Sequence, residues 1–225
     1  MNFLQLVNRL RVVSGGSGAT IATTVDTGSD DTAVRYATWI SDVWTEIQHE
    51  HETWEFRRAT SSFYMPVNAS LLQPSEYLAG NVNEWKEYTF RISEPGGGYL
   101  ASAPLNFMEY DLWQRTDGLA VGTAGKPRSI TVRPKDNAIL VSPSADKAYE
   151  LYYDYVREPQ ILLLDTDIPI ITVSLHMLIV YEALTRYGAF EAAPEIVLSA
   201  RNNAHVLRGA MERLYLPALT IGPHG

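Results

Sequence analysis

The residues most suggestive of chemistry are two histidines and two glutamates that alternate as HEHE at residues 49–52, near the expected end of a helix. Zinc hydrolases use H-E-x-x-H, which places two histidines one helical turn apart on the same face. His49 and His51 are only two residues apart, so on a helix they point in nearly opposite directions. On a strand they would share a face, but a third ligand would have to come from the distant His176 or His205. We therefore interpret HEHE as the end of a helix.

Other motifs that resemble catalytic or ligand-binding sites each lack an essential neighbour. The sequence GGSGA around Ser17 superficially fits a nucleophile elbow, but it does not stand between a strand and a helix. In GTAGKP, Lys126 is followed by Pro127 rather than by serine or threonine, so no phosphate loop forms. Asp165 and Asp167 form a single Asp-x-Asp, which we assign to turns and capping rather than to a calcium loop. We therefore predict no catalytic residue, no metal, no cofactor and no enzyme.

Composition excludes several further classes of function. The formal net charge of −8 means that the surface as a whole repels nucleic acid and anionic membranes. The absence of cysteine excludes disulfides, thiolate zinc sites and a cysteine nucleophile. No apolar run approaches the roughly 20 residues that a transmembrane helix needs. We therefore predict no membrane partner.

Helical periodicity marks both ends of the chain. Residues 2–13 form a short amphipathic pattern, and a second helix is expected from about residue 30 to between residues 51 and 54. The segment TVSLHMLIVYEALTRYG is apolar on nearly every face, so this helix is expected to be buried in its own core or against another subunit. Gly188 is its expected C-terminal stop. A last helix starts near Pro194 and repeats apolar residues at intervals of four and three, which predicts lengthwise packing on another helix.

Between the helices the periodicity changes to two, which is typical of half-buried strands. YELYYDYVR alternates in this way, and RSITVRP and NAILVSP flank a turn as a hairpin would. Several strands without regularly alternating helices favour an antiparallel arrangement. The predicted fold class is α+β: a helical bundle from residues 1–54 and 160–215, an inserted antiparallel β-sandwich or small β-barrel at residues 55–159, and an extended C-terminal tail at residues 216–225.

Several long segments resemble one known family. GKPRSITVRPKDNAILVSP, AYELYYDYVREPQILLLDTDIPII and LHMLIVYEALTRYGAFEAAPE closely resemble the phage and prophage adaptor proteins, also called head–tail connectors or gateway proteins. MNFLQLVNRLR and WISDVWTEIQHEHETWEFRR match the same family, and together the segments cover nearly the whole chain. The adaptors of short-tailed phages are similar in having a helical bundle with a β domain attached.

The resemblance implies a structural virion protein without catalytic activity. Members of the family form a ring, usually of about twelve copies, that docks beneath the portal of a capsid. The ring extends the DNA channel, through which DNA passes without sequence-specific binding, and offers a platform for tail or nozzle proteins. The implied location is the neck of the virion, between portal and tail, after assembly in the host cytoplasm.

Three groups of residues are candidates for the contacts of such a ring. Apolar positions on the helices are expected at the interface between subunits: Trp39, Val43, Leu175, Ile179, Val197, Leu207 and Met211. The extended tail is expected to dock on the portal through Leu216, Pro217, Leu219 and Ile221. The basic residues of the hairpin could touch DNA in the channel, although a solvated hairpin face is the simpler interpretation: Lys126, Arg128, Arg133 and Lys135.

A binding module is the alternative function. The segment between residues 55 and 159 is rich in aromatic residues that could grip a glycan or a host receptor: Trp85, Tyr88, Tyr99 and Trp113. Alternating strand positions also need large side chains to fill a core, so we expect these residues to be buried. A monomer that binds glycan would favour the binding module, whereas a chain that forms a ring, alone or on a portal, would favour the adaptor.

Overall fold

The computed structural model describes residues 1–16, 19–24, 31–73, 82–119 and 124–217. The chain divides into two compact units, a helical unit of Met1–Arg57 with Pro159–Gly225 and a β unit of Arg58–Glu158. The fold is mixed α+β, as predicted. The described residues contain five α-helices: α1 (Phe3–Val13), α2 (Asp31–His49), α3 (Tyr110–Arg115), α4 (His176–Phe190) and α5 (Pro194–Tyr215).

The same residues contain nine strands and five short 3-10 helices. The strands are β1 (Arg58–Met65), β2 (Leu71–Leu72), β3 (Val82–Trp85), β4 (Arg91–Ser93), β5 (Ala103–Pro104), β6 (Asn106–Phe107), β7 (Ser129–Val132), β8 (Ile139–Ser142) and β9 (Tyr149–Arg157). The 3-10 helices are Glu55–Arg57, Glu87–Thr89, Tyr99–Ala101, Asp117–Leu119 and Val173–Leu175.

Helix α1 begins at a capping box. The Asn2 side chain accepts a hydrogen bond from Gln5 N at 2.9 Å, and Gln5 Oε1 accepts one from Asn2 N at 3.0 Å. This exchange satisfies backbone donors that the first turn would otherwise leave unpaired. The buried side of α1 then joins the apolar sides of α2, α4 and α5 in one core that contains Phe3, Leu6, Ile40, Trp44, Ile179 and Met211.

Helix α4 lies at the centre of the helical unit and contacts α1, α2 and α5. Leu178, Ile179, Val180 and Ala183 are fully buried by these neighbours. The sequence left open whether this apolar helix is covered by its own chain or by another subunit. Its own chain covers it, because three helices pack around it.

The turn between α4 and α5 requires a glycine at a position where the sequence suggested a helix stop. Helix α4 does not end at Gly188 but continues to Phe190. A Cβ at Gly188 would lie 2.8 Å from Val197 Cγ2 and 3.2 Å from Ala193 O, so glycine permits the close approach of the two helices. Ala192, in the turn, has a φ of +53°, a left-handed conformation that costs a residue with a Cβ free energy.

The strands of the β unit form two sheets. In one sheet the order is β1-β9-β4-β5. Strand β3 also belongs to this sheet, and β3 and β4 pair with different residues along the same edge of β9. In the other sheet the order is β2-β8-β7-β6. The expectation of a small barrel is wrong, since neither sheet closes on itself within the residues described. The expectation of purely antiparallel pairing is also wrong, because β6 and β7 are parallel.

None of the four aromatic residues expected to grip a ligand is fully buried. Trp85 packs at the edge of the β core, with its ring centroid 5.7 Å from that of Phe90. Trp113 is half-buried in α3, whereas Tyr88 is 77% exposed and Tyr99 is 54% exposed. The prediction of burial is wrong for these two tyrosines, because both lie in short 3-10 helices rather than in strands, where alternation would turn them inward.

Candidate docking surfaces of the helical unit

The HEHE segment stands at a helix end. Helix α2 ends at His49, two residues before the range predicted for its end. The Glu50 carboxylate pairs with the Arg208 guanidinium on α5, and the His51 ring lies edge-on to the Trp54 ring at 4.8 Å. Glu50 therefore joins the end of α2 to α5, and His51 packs within the turn that follows α2. Within the described ranges no cluster of three or more His, Cys, Asp or Glu could hold a metal ion; Ser17 lies outside those ranges.

The most unusual surface of the helical unit is the loop that leads from the β unit into α4. Four of its large apolar side chains point into solvent, and we call them the apolar ridge: Ile161, Leu163, Leu164 and Ile168. Their exposed fractions run from 57% to 68%. Single exposed apolar residues are common on protein surfaces, but several in one short loop are typical of an interaction site.

Two aspartates hold the ridge in a fixed conformation. Asp165 accepts hydrogen bonds from Thr23 Oγ1 at 2.7 Å and from Thr24 N at 2.6 Å. Asp167 Oδ2 accepts from the backbone N–H groups of Leu163 and Leu164 at 2.8 and 2.7 Å. The predicted turn role is confirmed for Asp167, whereas Asp165 instead joins this loop to residues 23 and 24. The Asp167 carboxylate keeps the loop backbone paired while its apolar side chains remain in water.

A buried glutamine fastens the start of the same loop to α2. Gln48 is fully buried, and its Nε2 donates to Gln160 O at 2.9 Å while its Oε1 accepts from Gln160 N at 2.8 Å. The Gln160 side chain in turn donates to Ile168 O at 2.9 Å and accepts from Trp44 Nε1 at 3.2 Å. Both ends of the ridge are therefore tied to the helical core through one residue.

The ridge carries negative charge that no described cation neutralises. Asp165 and Asp167 form no ion pair with any residue that the structure describes. Burial acts to raise the pKa of Asp165, but the hydrogen bonds from Thr24 and Thr23 outweigh it and hold the pKa below its usual value. Asp165 is therefore ionised at neutral pH.

An apolar groove lies at the turn between α4 and α5. It has a volume of about 440 Å³ and is formed by small and aliphatic side chains together with one arginine: Gly188, Ala189, Ala192, Ala193, Pro194, Val197, Leu198 and Arg201. Gly188 and the alanines make the groove, because larger side chains there would fill it. Leu198 on its edge is 64% exposed. We refer to these eight residues as the apolar groove.

The ridge precedes α4 in the chain, and the groove follows it. The ridge loop leads into the start of this helix at His176, and the groove surrounds its end at Phe190. Arg201 in the groove is exposed and forms no ion pair among the described residues.

The predicted interface residues are divided between the core and the surface. Val43, Leu175, Ile179 and Met211 are at most 4% exposed, so in this conformation a neighbouring copy cannot touch them. These four positions are corrected from interface to core, because α1, α2, α4 and α5 cover one another more completely than the periodicity of each helix indicates. The other three are half-buried, and Val197 lines the groove: Trp39, Val197 and Leu207.

The structure describes the first two residues of the tail and all four basic residues of the hairpin. Leu216 is half-buried and Pro217 is exposed, while Leu219 and Ile221 lie outside the described residues. In the hairpin, Lys126 and Arg128 precede β7 and are exposed, whereas Arg133 and Lys135 follow it.

The four basic side chains of the hairpin do not form one patch. A strand rises about 3.3 Å per residue, so the two pairs lie about 15 Å apart. The Arg133 guanidinium is further engaged by two hydrogen bonds to the Asp136 carboxylate, at 2.8 and 2.7 Å. Lys126, Arg128 and Lys135 form no ion pair with the residues that the structure describes, so these three could contact a phosphate.

The family model described as SU10 adaptor protein matches residues 1–216. The chain belongs to this family. It is therefore a phage head–tail adaptor, a structural component of the virion neck that works with portal and tail components. Proteins of this family are generally not enzymes. No curated protein matches the adaptor. None of the helices described in the adaptor is long and apolar enough to cross a membrane.

Sequence reasoning missed the ridge of the adaptor. A signal was present, since QILLLDTDIPII holds seven apolar aliphatic residues in twelve positions, with neither helical nor strand periodicity. An apolar run between two elements predicts buried core residues unless the burial of each residue is known. In the folded adaptor only Leu162 and Ile171 among these seven aliphatic residues are buried.

Proposed function

We propose that this adaptor forms a closed ring, of about twelve copies, that docks beneath the portal, extends the DNA channel and carries the tail proteins. The observation that carries the proposal is the rigid apolar ridge on a chain whose family is shown over residues 1–216. An exposed apolar surface on a loop that hydrogen bonds hold in place is preorganised for a partner, because little conformational entropy is lost when the partner binds.

The charge of the chain agrees with a DNA channel. If acids that contribute to the net charge of −8 line the lumen rather than the outer wall of the ring, they repel the phosphates of DNA, so that DNA can slide without adhering. Acidic residues in the lumen should therefore keep release fast. Replacement of lumen acids by lysine is expected to slow DNA ejection, and ejection at an unchanged rate would remove this part of the proposal.

The tail and the hairpin have separate roles within this proposal. The C-terminal residues Leu216, Pro217, Leu219 and Ile221 dock on the portal, and deletion of residues 216–225 is expected to abolish docking while leaving the fold intact. Lys126, Arg128 and Lys135 offer transient contacts to DNA phosphates in the channel. Retained docking after the deletion would argue against the tail as the clamp.

The experiment that tests the proposal is the mass of the chain by light scattering, alone and after mixing with its portal ring. The chain has a mass of 25.1 kDa, so a ring of twelve copies would add about 300 kDa to the portal. The matched control is a portal from an unrelated phage, which should bind no ring. A chain that remains near 25 kDa with its own portal would contradict the adaptor ring.

The structure gives the rival binding module no specific support. A cavity of about 620 Å³ in the β unit is lined by Glu87, Phe107, Glu109, Tyr110, Asp111, Val132 and Pro134. None of the four aromatic residues expected to grip a ligand lines it: Trp85, Tyr88, Tyr99 and Trp113. The cavity therefore does not bring those aromatic faces together around one ligand.

A further inference from the structure

We propose that the apolar ridge of one copy docks into the apolar groove of the next copy around the ring. This inference rests on the proposed ring and identifies the surfaces that build it. Both surfaces belong to the helical unit, both are apolar, and one is convex while the other is concave. Each is left uncovered by the described part of its own chain.

The size of the groove suits the side chains of the ridge. A volume of about 440 Å³ accommodates two or three aliphatic side chains, such as those of Leu163, Leu164 and Ile168. Small residues form the floor of the groove, so branched side chains can enter it without displacing backbone. The contact would also cover Leu198, which is otherwise 64% exposed.

The charges of the two surfaces are complementary. The ridge presents the carboxylates of Asp165 and Asp167, whose partners among the described residues are neutral donors. The groove presents Arg201, which has no described ion-pair partner. Attraction between this cation and these anions favours one orientation of docking. Charges at the rim of an interface contribute more to the orientation of the partners than to their affinity.

The exposure of the two surfaces explains why the partner is a second copy. In the folded copy the ridge side chains and Leu198 of the groove are all more than half exposed, so the ridge of a copy does not fill the groove of that same copy. A contact between two different surfaces of identical chains is heterologous, and repeated contacts of this type close into a ring when the rotation allows it. One interface then serves every copy.

Disulfide cross-linking tests this contact directly, because the chain has no cysteine of its own. Leu164→Cys places a thiol on the ridge and Leu198→Cys places one in the groove, both at exposed positions that tolerate the change. A disulfide forms only when the two Cα atoms approach within about 7 Å. The full-length single-cysteine variants are mixed, alone and with the portal ring, and are oxidised mildly.

The matched control replaces the groove cysteine by Val206→Cys, which lies on the same helix and is 68% exposed but does not line the groove. We expect the ridge and groove pair to give a covalent dimer with a yield on the order of tenfold above the control pair. The double variant Leu164→Cys with Leu198→Cys should give a ladder of larger species. Equal yields from both pairs, or dimers that join only two ridges, would overturn the proposal.

A complementation experiment places an aspartate, instead of a cysteine, on the ridge or in the groove. Leu164→Asp disables only the ridge and Leu198→Asp disables only the groove, so each variant alone should fail to form a ring. Mixed together, they retain one intact contact per pair and should form a complex of two chains of about 50 kDa. A mixture that stays monomeric at the concentrations where the wild type assembles would overturn the proposal, provided that circular dichroism shows both variants folded.

The outcomes separate this inference from the adaptor ring itself. If light scattering detects a ring on the portal but the ridge and groove cysteines do not join, the ring stands and the ridge-to-groove contact is overturned. If neither a ring nor a cross-link forms with the portal, both proposals are overturned.

Discussion

The buried exchange between Gln48 and Gln160 allows a quantitative prediction for Gln48→Met. Methionine has a similar length and is apolar, so it fills the same space but removes the donor to Gln160 O and the acceptor of Gln160 N. A buried backbone group without a partner costs about 1–3 kcal/mol. Gln160 is half-buried, so water replaces part of the loss, and methionine gains some free energy by its own burial.

We expect Gln48→Met to lower the free energy of unfolding by about 2–3 kcal/mol. For a chain of this size each kcal/mol shifts Tm by about 2–4 °C, so the expected decrease in Tm is about 4–12 °C. Urea unfolding followed by far-UV circular dichroism, to which the helices contribute most, measures the change. The control is Asn202→Met, an amide-to-methionine change at an exposed position of α5 with no described partner, which should stay within about 0.5 kcal/mol of wild type.

Gln48→Glu tests whether the exchange is reciprocal. An ionised glutamate can accept from Gln160 N but cannot donate to Gln160 O, and burial raises its pKa. Once protonated, it can donate to that carbonyl as glutamine does. The deficit in stability relative to wild type should therefore shrink as pH falls. If Gln48→Met unfolds like the Asn202→Met control, the hydrogen bonds to Gln160 do not stabilise the loop and the reasoning is refuted.

Three further predictions concern α4 and the turn that follows it. Ala192→Gly should raise the free energy of unfolding by about 0.5–1 kcal/mol, because glycine adopts the positive φ of this position without strain. The control Ala189→Gly, in the regular helix, should lower the free energy of unfolding by about 1 kcal/mol. Thermal unfolding measures both changes. Gly188→Ala should destabilise by about 1–3 kcal/mol despite the better helix propensity of alanine, since its Cβ would meet Val197 Cγ2 at 2.8 Å, and a higher Tm would contradict this. Burial lowers the pKa of His176 below its unfolded value near 6.5. The stability that depends on the neutral ring is therefore present above about pH 6.5 and is lost as pH falls through the folded pKa. His176→Gln should flatten this pH dependence in unfolding curves measured across that range.

The types and order of the elements follow from local pattern. Three features are readable from spacing and capping chemistry: the apolar stripe of α2, the alternation of β9 and the first turn of α5 at Pro194. Each of these features depends on residues within a few positions of one another. The turn role of Asp167 was also predictable, because an aspartate of a lone Asp-x-Asp without the rest of a calcium loop is most useful to its own backbone.

Only the tertiary structure decided which apolar residues are covered. Periodicity identifies the apolar side of a helix but not the element that packs on it, so Ile179 and Met211 resembled interface residues until three other helices enclosed them. The same limit hid the ridge, where Leu163 and Leu164 stay exposed because Asp165 and Asp167 bind backbone donors and turn the loop outward. Exposure depends on contacts between residues far apart in the chain, and local sequence carries no record of them.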